Sequence, residues 1–281
     1  MIASAAASLV AAQESLRIGM PELCRAGLSE GWMWKAAGHR HWLALAEAHG
    51  LDRPDFRDAS GARLYAAFTG VALEDGRLDQ VAEHDRLAFA VTLSRTGRSR
   101  FRSTVTLSVE DETVARLTLD SAFVGRREAG RNRSATRGLV ARPCRLLPPA
   151  DPQPPFRAQG WEHHGPFRRE DRKDLARLTL DPNPHEDFNG ADFLYFAAFP
   201  ALIDRAEWTW FRRLDPPLTT HARRIAYLGN IELGDRVTAV LCSVHAVDAA
   251  VSHWIELRRE DDSLIAIAFT DRLPAQRAPA G

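Results

Sequence analysis

Residues 191–214 read ADFLYFAAFPALIDRAEWTWFRRL, and residues 29–49 read SEGWMWKAAGHRHWLALAEAH. In the first stretch Phe193, Leu194, Phe196, Ala197, Phe199, Leu202, Ile203 and Ala206 are apolar nearly all round a helical wheel, which predicts a buried rather than surface helix. Pro200 should kink or break it. The second stretch predicts a helix that starts at Ser29 and stops at Gly50. Each helix is followed by strand-like runs. In the first half these are 62–73, 87–93, 101–109 and 114–124. In RSTVTLSV (102–109), Val105, Leu107 and Val109 share one face. The second half offers 223–231, 236–244, 251–257 and 264–269.

The halves also match locally. Asp85-Arg86-Leu87 opens one strand where Gly234-Asp235-Arg236-Val237 opens its counterpart. Glu110-Asp111-Glu112 and Glu260-Asp261-Asp262 make polar turns before the last strand of each half. Between the halves, PCRLLPPADPQPP (143–155) cannot form helix or a central strand, so it reads as a stiff linker. The pattern predicts an α+β double hot-dog: two tandem repeats at 1–142 and 159–281, joined by a Pro-rich linker at 143–158. In each, a long antiparallel sheet wraps a central helix. Two repeats in one chain can join their sheets edge to edge and remove an open edge.

The chain has 281 residues, 45% of them hydrophobic and 26% charged, which is globular composition. Lys plus Arg and Asp plus Glu balance at 37 each, without the basic excess of a nucleic-acid binder. Nearly all the basic residues are Arg, a bias of the kind GC-rich bacterial genomes leave. Cys24, Cys144 and Cys242 are scattered and odd in number, so neither a disulfide framework nor a zinc pattern is expected, and a cytoplasmic protein is. Residues 1–12 lack the basic start of a signal peptide and are too short to span a bilayer, so no membrane is expected as a partner. Whether the chain is a monomer or a homodimer is not legible.

Asp187-Phe188-Asn189-Gly190, followed by Tyr195, resembles the D-x-x-G-x-x-x-x-Y segment of hot-dog acyl-CoA thioesterases. Other segments are more distinctive: GMPELC (19–24), GLSE (27–30), Arg40-His41-Trp42 and RLYAAF (63–68). With the DFNG of 187–190, they resemble the LnmK-type bifunctional acyltransferase/decarboxylase family of polyketide biosynthesis over nearly the whole chain. That resemblance implies an enzyme that takes an alkylmalonyl-type group from coenzyme A, decarboxylates it, and delivers it to an acyl carrier protein of a polyketide synthase. It implies no cofactor beyond the coenzyme A thioester used as substrate. By local match Tyr65 is the acyl-accepting residue. Gly38-His39 stands where a Gly-Asp pair is expected and Met33-Trp34 where aliphatic residues are usual, departures that bear on acyl-group preference.

The same residues can be weighed by their own chemistry. A malonyl-type thioester loses carbon dioxide to leave an enolate, so a protein must aim donors at the thioester oxygen. Gly190, expected at the head of the second helix, would offer backbone N–H groups, and Asn189 a side-chain donor. The plainer reading of Asn189-Gly190 is a turn. Tyr65 is either a nucleophile, a hydrogen-bond donor to the enolate, or an ordinary strand tyrosine. Asp187 is either the base or nucleophile of a thioesterase or a helix-terminal acid. His185, after Asp181-Pro182-Asn183-Pro184, stands one residue short of a hydratase motif and reads as part of a Pro-rich turn.

GLSEG (27–31) matches a nucleophile elbow, but no strand precedes it, so Ser29 reads as a helix cap. Ser29, Glu30, His41 and Tyr195 are candidate pocket-lining residues. His39 and His41 lie on different helix faces, and no spacing there or at His163-His164 completes a metal site. Arg126 and Arg127, in the Arg-rich run to Arg137, are either a grip for coenzyme A phosphates or a carrier protein, or a solvated loop. Tyr65 and Asn189-Gly190 have no residue-level twins in the opposite halves, so one active site per chain is expected. A thioesterase using Asp187 and Asn189, and a non-catalytic acyl-carrier binding module, are the competing functions.

Overall fold

The fold is taken from a computed structural model that describes residues 9–144, 147, 163–212 and 217–276. Ten strands and two helices carry the architecture. The first half holds β1 (Leu9–Arg17), α1 (Glu30–Ala48), β2 (Arg63–Glu74), β3 (Arg86–Gly97), β4 (Arg100–Val109) and β5 (Glu112–Arg126). The second half holds β6 (Ala176–Leu180), α2 (Ala198–Phe211), β7 (Leu218–Tyr227), β8 (Val237–Val247), β9 (Ala250–Arg258) and β10 (Leu264–Pro274).

All ten strands belong to one twelve-stranded antiparallel sheet, in the order β1-β3-β4-β5-β2-β7-β10-β9-β8-β6. Two short strands, Phe56–Arg57 on β2 and Ala135–Arg137 on β5, complete it. Read inward from either edge, the order of first, third, fourth, fifth and second strand is the same in both halves. The halves meet where β2 pairs with β7, Ile225 facing Val71. Equivalent bulges recur as well, between Phe68 and Gly70 on β2 and between Thr220 and Ala222 on β7.

Local chemistry explains the elements. Ser29 caps α1 by accepting the Trp32 N–H, and Gly50 ends it at φ +64°, where a side chain would be strained. The buried face of α1 carries Met33, Trp34, Ala37, Gly38, His41, Ala44, Leu45 and Ala48. Glu110 and Asp111 turn the β4–β5 hairpin with positive φ at both residues, the requirement of a type I′ turn. Apolar residues of α1, α2 and strands from both halves form a single main core, from Ile18 and Trp34 to Leu257 and Ala268.

Three expectations need correcting. The second helix begins at Ala198, not at 191, because 191–197 form a loop whose apolar side chains fill space between the halves. Pro200 therefore sits in the first turn, where its missing N–H has no partner to lose, and the helix runs on past it. The run 223–231 leaves the sheet after Tyr227. The linker at 143–158 lies almost wholly outside the described residues. Among the described residues, no helix is long and apolar enough to cross a membrane, and no group of three or more His, Cys, Asp or Glu is placed to hold a metal.

Candidate active site

A cavity of about 630 Å³ opens where the start of β2, from the first half, faces the loop before α2, from the second. Tyr65, Asn189, Gly190 and Tyr195 all line it. Its aromatic walls are Trp42, Phe68, Phe193, Phe196, Phe199 and Tyr227. The rings lock together: Phe68 and Phe196 lie 4.2 Å apart, and Tyr227 donates its hydroxyl to the Phe196 carbonyl at 3.0 Å. Gly38 of α1 makes this fit possible, since a Cβ there would come within 2.6 Å of the Phe196 ring.

The 187–194 loop is held from several sides. Asn189 Oδ1 accepts the N–H groups of Ala191 and Phe193 at 2.9 and 3.3 Å, which leaves its NH₂ as the free end of the amide. Asn189 N–H donates to the Phe193 carbonyl at 2.9 Å. Asn230 Oδ1 accepts the Leu194 N–H at 2.9 Å, while its NH₂ returns a bond to the Leu194 carbonyl at 3.1 Å. Arg259 in turn holds the Asn230 carbonyl with two donors.

The most specific support comes from the first half. Asn132 is 3% exposed and donates to the carbonyls of Ile231 (2.7 Å) and Asp192 (2.5 Å). Its Oδ1 accepts two bonds from Arg126, at 2.9 and 2.6 Å. Arg126 also donates to the Ala191 carbonyl and lies 3.8 Å over the Phe193 ring. Asn132 and Arg126 thus bracket the loop across the junction of the halves.

The result is a set of donors without acceptors. Among the described residues, no hydrogen-bond partner is found for the Gly190 N–H, the Asn189 NH₂, or the hydroxyls of Tyr65 and Tyr195. Burial pushes the Tyr195 hydroxyl up to about 12, so it stays a neutral donor at ordinary pH. Tyr65 sits edge-on to Phe193 at 5.5 Å, with the guanidinium groups of Arg126 and Arg63 at 5.7 and 5.8 Å from its ring. Gly190 does not head a helix, but a Cβ on it would meet nothing within 4 Å, so its backbone is open to the cavity. No carboxylate, imidazole or thiol is among the described lining residues.

The other sequence candidates do not line the cavity. Asp187 is 2% exposed; its carboxylate accepts the Asn183 N–H at 2.8 Å and faces Arg205 at 3.3 Å, which makes it a turn-closing acid. Ser29 is spent on the α1 cap. Glu30 accepts from Trp34 (2.9 Å) and Thr220 (2.7 Å) and pairs with Arg223 at 3.0 Å. His41 is fully buried between Ser103 Oγ and Ser121 Oγ, at 2.7 and 2.8 Å, and burial drives its pKa down to about 3. It is a neutral support beneath Phe68, at 5.0 Å. Arg126 spends its donors inside the protein, and Arg127 is exposed outside the cavity. Asn132, Asn230 and Arg259 are not among the residues the sequence singles out for the site.

Comparison with solved structures places this geometry in the hot-dog fold. The chain resembles an acyl-ACP thioesterase from Bacteroides thetaiotaomicron VPI-5482 with a TM-score of 0.63 at 10% identity, covering 93% of this chain and 97% of that one. It resembles the 12:0-ACP thioesterase from Umbellularia californica with a TM-score of 0.62 at 12% identity, covering 93% of each. No protein-family model matches the sequence, and no curated protein does.

Proposed function

We propose that the protein is an acyl-thioester enzyme that binds the acyl group in the cavity and sets the thioester carbonyl against Asn189, Gly190 and Tyr65. The carrying observation is the row of unpaired donors in a cavity whose described lining residues include no carboxylate, imidazole or thiol. Hydrolysis needs a group to activate water. Decarboxylation of a malonyl-type thioester needs only donors at the oxygen where charge develops. The C–C bond to the carboxylate breaks, its electron pair passes to the thioester oxygen, and carbon dioxide leaves. The enolate takes a proton from water at carbon to give the saturated acyl thioester. Tyr65, alone among the donors on a first-half strand, accepts the acyl group as an ester, its phenolic proton passing to the departing coenzyme A thiolate. A carrier-protein thiol then displaces the phenol, and its proton returns to the phenolate oxygen. On this reading the chain is a double hot-dog, with one site shared between repeats 1–142 and 159–281, and its partner is an acyl carrier protein.

A second reading is favoured by the neighbours, which are named as thioesterases, and by the closeness of Asp187 to Asn189 in the loop. Asp187 would then act as base after turning from Asn183 and Arg205 toward the cavity. Intact-mass analysis after incubation with methylmalonyl- and ethylmalonyl-CoA separates the two. Carbon dioxide release with acyl mass on a carrier protein is expected, and an Asp187→Asn variant should retain activity within about tenfold. Free acid as the only product, abolished in Asp187→Asn, would establish the thioesterase.

The bracket gives a further expectation. Asn132→Ala leaves the Ile231 and Asp192 carbonyls and two Arg126 donors unsatisfied, and loosens the donor loop. Displacements of about 1 Å cost roughly 10²-fold in rate. The turnover number should fall by about that factor with KM changed far less. Asn132→Asp should not rescue it, because a carboxylate cannot donate to the two carbonyls. A loss confined to KM would show that the bracket does not position the reacting carbonyl.

A further inference from the structure

Beside the cavity lies a surface depression lined by Asp58, Ser60, Arg98, Ser99 and Arg137. It joins three chain segments: the turn ahead of β2, the β3–β4 turn, and the short strand that pairs with β5. Two features make it a candidate anion site. Arg98 and Arg137 are both exposed, and among the described residues neither guanidinium has an ion-pair or hydrogen-bond partner. The one carboxylate in its lining, Asp58, turns Oδ1 back into its own turn, accepting there from the Ser60 N–H (2.8 Å), the Ser60 hydroxyl (2.6 Å) and the Ala62 N–H (3.0 Å).

The register ties this depression to the cavity. Tyr65 pairs directly with Val124, and Val124 pairs directly with Arg137. Directly paired residues project from the same face of a sheet, and neighbouring strands are about 4.8 Å apart, so the Arg137 backbone lies roughly 10 Å from that of Tyr65. Tyr65 and Val124 line the cavity and Arg137 lines the depression. Of the three arginines that line the cavity, Arg63 is exposed with only Asp55 near it among the described residues, at 3.9 Å, and the other two are engaged. Arg133 is paired with Asp235 (2.8 Å) and Asp261 (3.7 Å), and Arg259 is spent on Asn230.

We propose that this depression is a phosphate subsite, with Arg98 and Arg137 gripping the phosphate of a 4′-phosphopantetheine arm whose thioester end lies in the cavity. The assignment rests on the acyl-thioester reading above. The same phosphate is carried by coenzyme A and by a loaded carrier protein, so one subsite would serve both donor and acceptor. Planar guanidinium groups suit a phosphate at an exposed site better than point charges do, because they form paired bonds to it.

The test compares an acyl-pantetheine thioester, its 4′-phosphorylated counterpart, the acyl-CoA and the phosphopantetheinylated carrier on wild type and on Arg98→Ala/Arg137→Ala. Both residues are exposed, so the double variant should melt with the wild type. Wild type should favour the phosphorylated arm over pantetheine by about tenfold or more in KM. In the double variant that preference should vanish while the pantetheine KM stays put. Acyl-CoA and carrier should weaken by similar factors. A preference that survives the double substitution would overturn the subsite. So would a loss confined to acyl-CoA, which would move the contact to the nucleotide phosphates. Failure of the underlying reading looks different: wild type would turn over none of the four. Calorimetric binding of free 4′-phosphopantetheine, lost in the double variant, would still support the subsite in that case.

Discussion

Tyr65→Phe should leave the fold unchanged and abolish acylation of a carrier protein. Tyr65 is half-buried, its ring packs on Phe193, and no hydrogen-bond partner is found for its hydroxyl among the described residues, so removing that oxygen strands nothing in the protein. The thermal midpoint should therefore stay within a degree or two of wild type. Two chemical roles then predict different losses. If the phenol accepts the acyl group, the substitution ends transfer altogether, while carbon dioxide is still released from the coenzyme A thioester under the donors of Asn189 and Gly190. If the phenol only donates to the developing enolate, both steps fall together, by the roughly 10²- to 10³-fold that one such donor is worth. Measuring carbon dioxide release and carrier acylation on the same variant decides the matter. Both activities remaining near wild type would remove Tyr65 from the chemistry.

Much of the fold follows from short-range rules, and much of the site does not. The first helix was legible because Ser29, Gly50 and the apolar spacing between them agree. The eight central strands were legible because alternation marks a sheet with one face against a core. The edge strands β1 and β6 were missed. β6 has only five residues, none fully buried, so tertiary pairing with β8 rather than pattern makes it a strand. The second helix was drawn too long because Phe193, Leu194 and Phe196 have helical spacing. Apolar spacing reports burial, and these residues are held in a loop by Asn189, Asn230 and Asn132. That support comes from 36 or more residues away in the chain for Asn230 and 60 or more for Asn132. No local pattern distinguishes Asn132, buried and bridging the halves, from the solvated arginines around it. The same distance problem applies to Asp187 and Glu30. Their chemistry suited a site, but their partners, Arg205 and Arg223, turn them into structural ions.

Arg223→Met should be the most destabilising single substitution in the ionic cluster at the junction, and it bears on how many sites the chain has. The matching bulges make Thr220 the counterpart of Phe68 and Arg272 the counterpart of Ser121. Where the other half-junction holds the aromatic cavity, this one is filled with charge. Fully buried Arg223 donates to Asp204 at 2.6 Å and to Thr270 at 3.2 Å. Its remaining nitrogen lies 3.0 Å from Glu30, close enough to pair though off the line of a hydrogen bond. Arg272 bonds Asp204 at 2.6 Å and Glu207 at 2.9 Å, and His253 meets Glu207 at 2.9 Å. Burial alone would raise the Glu207 pKa, but Arg272 and His253 outweigh it and hold the carboxyl well below the usual range. Such a cluster gains little over an apolar filling but is costly to break. Removing one partner strands buried charge, at about 3–5 kcal/mol. For a chain of this size that corresponds to a fall of roughly 10 °C in the thermal midpoint. Adding Glu30→Gln should recover part of the loss, because it removes one of the stranded charges. A midpoint within about 2 °C of wild type would mean that water reaches the cluster, and the second half-junction would then be open enough to hold a ligand. With the fall observed, the cluster seals that side, and titration with a non-hydrolysable acyl thioester should saturate at one ligand per chain.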